Sequence, residues 1–123
     1  MNLEKVLEHF AIIANISITE GSPWILLCED ACNDILAHLK DSVNVSEHSR
    51  RLAVAAASLA FYRYSLYNSA NGATESFSAG ELRIKTDVKS TVKLAYSVWA
   101  EAKHNIADLL RDDDFTFERI GLN

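Results

Sequence analysis

The chain has 123 residues, 49% of them hydrophobic and 24% charged, with 12 basic against 17 acidic side chains and a net charge of −5. That length fits one domain able to bury its own core, and the acidic balance argues against a dedicated binder of phosphate backbones, which needs a basic face, while leaving room for a local basic patch. One Pro and four Gly favour long uninterrupted helices over a turn-rich β architecture. In chain order, Asn2 can cap a first helix over about residues 3–14, whose apolar face is Leu3, Val6, Leu7, Phe10 and Ile13. ISITEGS then breaks the pattern and reads as a loop. Ser22-Pro23 is a helix start, with Ser as N-cap and Pro at the first helical position. The buried stripe of this second helix is Trp24, Leu27, Cys28, Ala31, Ile35 and Leu39, and it should end near Lys40.

Ser46 caps a third predicted helix that runs to about Asn71, with Gly72 as its C-terminal stop. Leu52, Ala55, Ala56, Leu59, Tyr62 and Leu66 form one stripe, and Val54, Phe61 and Ser65 form another. A helix apolar on more than one side is central and packed by several neighbours. After an insert over about residues 73–86 comes a long fourth helix, predicted over about Asp87 to Arg111. Its seam, Val88, Val92, Ala95, Trp99, Ala102, Ile106 and Leu109, alternates spacings of four and three. Asp112-Asp113-Asp114 opposes the negative end of the helix dipole and should stop it there. A tail over about residues 112–123 follows, in which Phe115 and Phe117 need a surface to pack on. The fold class is therefore all-α: a single domain over 1–123, a bundle of four to five helices with an extended arm or short β-hairpin between the last two long helices.

Chemistry is sparse in this pattern. Glu101 and His104 have the E-x-x-H spacing of a di-iron helix, but no second such pair accompanies them. Asp34 and His38 share a helical face, a spacing that reads as a solvated contact. Cys28 and Cys32, spaced i,i+4, read as small buried apolar residues of a reduced compartment, not as metal or redox ligands. There is no Gly-rich phosphate loop, no H-E-x-x-H, no C-x-x-C and no G-x-S-x-G elbow. The expectation is a non-catalytic protein without metal or cofactor. The N-terminus has no basic n-region, and the longest uncharged run in the Ala-rich segment, Leu52 to Tyr62, falls well short of the ~20 residues that span a bilayer, so no membrane role is expected. In YRYSLY, Tyr62, Tyr64 and Tyr67 read either as packing at the end of the third helix or as an interaction surface, where Tyr and Arg are enriched. Arg50 and Arg51 read as a solvated face.

The order of segments RRLAVAAASLAFYRYSLY, ESFSAGELRIKT and EAKHNIADLLRDDDFTF resembles the small helical head–tail connector proteins of tailed phages and prophages, also called head-completion or DNA-packaging adaptor proteins. The likeness covers about residues 46–117. It implies a subunit that assembles with copies of itself into a ring between portal and tail, in the virion or the bacterial cytoplasm. DNA passes through such a channel without sequence-specific binding. The segments it offers as subunit or partner contacts are Tyr62 to Tyr67, Glu75 to Thr86 with Phe77, Leu82 and Ile84, and the tail with Phe115 and Phe117. Two other readings stand beside it. One is a small helical protein-binding or regulatory module; the other, a helical metalloenzyme, requires bound metal.

Overall fold

A computed structural model describes the backbone of residues 1–75 and 81–111 and the side chains of residues 1–69 and 90–111. Within these residues the helices are α1 (Leu3–Ala14), α2 (Ile18–Gly21), α3 (Ile25–Ala37), α4 (Ser49–Glu75) and α5 (Glu81–Asn105). The all-α bundle expected from the sequence is the observed fold.

Each boundary has a local cause. Asn2 accepts a hydrogen bond from the Lys5 amide and caps α1, as its sequence position suggests. Asn15 ends α1 in the left-handed region at φ 59°, a conformation Asn tolerates better than most side chains. The expected loop that follows is instead the short α2, held by a capping box in which Ser17 and Glu20 serve each other's backbone amides. Ser22-Pro23 does not open the next helix directly. It lies in a 3₁₀ turn, Ser22–Trp24, that leads into α3. Asn44, not Ser46, caps the entry to α4, through the 3₁₀ turn Val45–His48. That α4 runs through Gly72 to Glu75 shows the glycine is no stop there: elongating an established helix costs far less than nucleating one, and a single Gly costs only about 1 kcal/mol.

α5 begins at Glu81, six residues ahead of the expected start at Asp87. Residues Glu81 to Thr86 are therefore helical, and the extended arm or hairpin drawn through Leu82 and Ile84 is corrected on that side. Their alternation with Arg83 and Lys85 resembles a strand, but Glu81, Leu82, Arg83 and Lys85 are all good helix formers, and Glu81–Lys85 is a favourable i,i+4 pair. Residues 76–80, with Phe77 and the expected turn at Ala79-Gly80, lie outside the described residues. At its other end α5 stops at Asn105, short of the expected Arg111, and a 3₁₀ turn, Ala107–Leu109, follows.

The core is built around α4. Leu52, Ala53, every residue from Ala55 to Tyr62, and Ser65 are buried, as expected for a helix apolar on more than one side, but Val54 of the second expected stripe is exposed. α1 contributes Val6, Leu7, Phe10 and Ala11, and α3 contributes Cys28, Ala31, Cys32 and Ile35. The predicted α5 seam is buried at Ala95, Trp99, Ala102, Ile106 and Leu109. Trp99 is the largest fully buried side chain, and the alanines of α4 leave room for its neighbours to approach. Both cysteines are free and buried, in keeping with the apolar reading. Burial pushes the Cys28 thiol up to about 12, and burial raises Cys32 as well.

Candidate interaction surface

The pairing of α4 with α5 sets the geometry of the molecule. Arg51 reaches Asn105 and Asp108, Tyr62 meets Tyr96, and Asn68 and Thr91 line one cavity. As the α4 number rises the α5 number falls, so the two helices form an antiparallel hairpin. α1 lies parallel to the first half of α4, since Lys5 shares a cleft with Arg50 and Ala14 one with Phe61. α3 returns toward the start of α4. It begins beside Trp24, which packs on Tyr64 and Tyr67, and its end is pinned by the last described residues.

That pin is a short antiparallel bridge between Leu39 and Leu110. The Lys40 amide donates to the Leu109 carbonyl, and the Arg111 amide donates to the His38 carbonyl, each at 2.9 Å. The Arg111 guanidinium also donates to the Ala37 carbonyl at 2.6 Å, placing a cation at the C-terminal end of α3. One residue before Leu109 along the chain, Asp108 is held by Arg51, whose Nη2 donates to Asp108 Oδ1 at 2.6 Å and to the Asn105 carbonyl at 2.5 Å. The solvated-face reading of Arg51 is corrected: the residue clamps the end of α5, a contact 57 residues apart in sequence. Asp34 uses its carboxylate on Arg63 at 2.6 Å, while its backbone carbonyl meets His38 Nδ1 at 2.7 Å.

The tyrosines of YRYSLY separate into different roles. Tyr62 is buried against Tyr96, with ring centroids 5.5 Å apart, and is unavailable to a partner; the contact role offered for it is corrected. Tyr64 is half-buried at the centre of an aromatic cluster, 5.3 Å from Phe10, 4.7 Å from Trp24 and 6.4 Å from Phe61. Tyr67 closes this cluster on the solvent side, 5.3 Å from Trp24 yet 56% exposed. The indole expected in the buried stripe of α3 is thus a half-buried support for two tyrosines. Two residues further on, Leu26 is 69% exposed. Sequence reasoning missed this Trp24–Tyr67 junction because its members lie 43 positions apart, and no periodicity within one helix links them.

Leu82 and Ile84 fall on helical backbone, with side chains outside the described set, while Phe115 and Phe117 lie outside the described residues altogether. Among the described residues no group of three or more His, Cys, Asp or Glu could hold a metal ion, and no single helix is long and apolar enough to cross a membrane. The fold defines the class as a small all-α bundle with a long helical hairpin. No protein-family model, curated protein or solved structure matches the chain.

Proposed function

We propose that the chain is a structural subunit acting by protein–protein binding without catalysis, of the kind that forms head–tail connector rings between portal and tail in phages and prophages. The observation that supports this reading is the reach of the α4–α5 hairpin. At 1.5 Å per residue the 27 residues of α4 span about 40 Å, whereas the 12 of α1 span about 18 Å and the 13 of α3 about 20 Å. α1 ends near Phe61 and α3 begins near Tyr67, so α4 continues for about 12 Å beyond the elements that bury its first half.

A projecting hairpin with exposed Tyr67 near its base, together with exposed Leu26 on α3, offers the kind of dissimilar patches that a repeated heterologous interface needs to close into a ring. Tyr is enriched in such contacts, being large, fairly rigid and tolerant of a wet rim. In this reading DNA passes through the ring without base-specific contacts, and an acidic subunit does not retain it.

Light scattering and negative-stain microscopy on the purified chain, alone and mixed with a phage portal protein, test the proposal. Rings, or portal-dependent assemblies, are the expected result. A chain that stays monomeric at high concentration and ignores the portal overturns it and favours the monomeric binding-module reading.

A further inference from the structure

A cleft of about 500 Å³ opens between α1 and the start of α4, and among the described residues it is lined by Asn2, Lys5, His9, Ser49, Arg50 and Ala53. In a chain of net charge −5, its described walls carry two permanent cations and an imidazole and no carboxylate. Its shape follows from the parallel packing of α1 on α4: Lys5 and His9 are i,i+4 neighbours on α1, and Arg50 and Ala53 lie i,i+3 on α4. Ala53, buried, leaves the floor open where a longer side chain would fill it.

The cations are not absorbed by the fold. Neither Arg50 nor His9 enters a hydrogen bond or ion pair among the described residues. Lys5 has one, with Glu8 at 3.4 Å, and both side chains are at least half exposed, so the pair is weak and easily exchanged. Arg51, by contrast, is committed to Asp108. Adjacent arginines at the head of one helix therefore have different uses, one structural and one open.

From this arrangement we infer that the cleft binds a small phosphate-bearing anion, with Arg50 and Lys5 as the charged donors and Asn2, His9 and Ser49 as polar contacts around them. Arg presents a planar fork that matches phosphate oxygens, and Lys adds a point charge. The volume falls within the ~300–1,000 Å³ typical of small-ligand pockets, which suits either free phosphate or the phosphate of a mononucleotide. The inference is independent of the assembly reading and needs no ring.

The test is a titration of the full, isotopically labelled chain with inorganic phosphate and, separately, adenosine monophosphate, followed by amide chemical shifts. Saturable shifts centred on Lys5, His9, Ser49 and Arg50 are expected, with a Kd of about 1 mM or tighter. Tighter binding of the nucleotide assigns the source as a nucleotide, and equal binding assigns it as free phosphate. Arg50→Glu should weaken binding by about tenfold or more, in line with the loss of one charge-assisted contact. Lys93→Glu makes the same change in net charge at an exposed position on α5 and should leave binding intact. Because Arg50 is exposed, its variant should melt with the wild type; should Arg50→Glu fail to fold, Arg50→Gln carries the same expectation. Absence of localised saturable shifts, or equal weakening by Arg50→Glu and Lys93→Glu, overturns the inference.

Discussion

Arg51 and Asp108 meet at 2.6 Å across the start of α4 and the turn after α5. The Arg51 guanidinium beside it, chiefly through this hydrogen bond, holds the Asp108 carboxyl below its ordinary value. A depressed folded-state value means the contribution to stability is present above the unfolded value, about 3.9, and is lost as pH falls through the folded one. Asp108→Asn should therefore be less stable than wild type at pH 6, and the difference should shrink toward zero below about pH 4. Urea unfolding of both proteins across this range checks it. A difference that ignores pH would show that the pair does not carry the effect.

The cysteines give the opposite sign. Cys28 is fully buried on α3, and its thiol, pushed up to about 12 by burial and then by Cys32, favours the folded state while protonated. That contribution is complete below the unfolded value, about 8.5, and is lost as pH rises toward the folded one. Stability should fall as the pH is raised from 8 to 10, and fall less in Cys28→Ala. Both thiols should also stay unreactive toward a disulfide reagent at pH 8 until denaturant unfolds the chain.

Much of this core is readable in the sequence because burial follows helical periodicity. The α5 seam from Ala95 to Leu109 and the two-sided α4 are both plain in the spacing of their apolar residues. The failures lie where local chemistry competes with cooperative structure. Ser17 and Glu20 have capping-box spacing, but Gly21 and Pro23 nearby suggest a loop and hide the short helix that the box starts. Leu82 and Ile84 alternate like a strand, yet their backbone extends α5 toward Glu81. The insert expected over about residues 73–86 shortens once α4 reaches Glu75 and α5 starts at Glu81, and the number of residues left between them falls within the about 2–8 of an ordinary bundle connection. Arg51, Arg63 and Arg111 are illegible as clamps, since each partner lies far away in sequence and only the fold brings it near.

Packing against α4 depends on small side chains. Ala55, Ala56, Ala57 and Ala60 are all fully buried, so a longer side chain there has no space to enter. Ala56→Leu should destabilise the fold by about 1–3 kcal/mol through overpacking. Trp99→Ala acts in the reverse direction, opening a cavity at a cost of about 3–5 kcal/mol. Thermal and urea unfolding measure both. A neutral Ala56→Leu would mean that the helices around α4 can separate at little cost.

Shortening the hairpin separates folding from assembly. Tyr62 opposes Tyr96, and Asn68 lies near Thr91, so position 71 faces about position 87 and the two helices can be cut back to that level without shifting their register. Replacing residues 72–86 with a short Gly-Ser linker preserves every buried residue named above, from Val6 to Leu110. A chain of four or five linker residues can cross the ~10 Å between adjacent helix axes. The shortened protein should keep its helical circular-dichroism signal and a cooperative melt, because the Trp99 core and the Arg51 clamp are untouched. It should also fail to form the rings expected of the full chain. Tyr67→Asp examines the base of the hairpin instead: Tyr67 is 56% exposed, so the bundle should survive while assembly weakens. If the shortened protein and Tyr67→Asp both assemble like the wild type, the contact surface lies elsewhere and the hairpin is only a brace for α5.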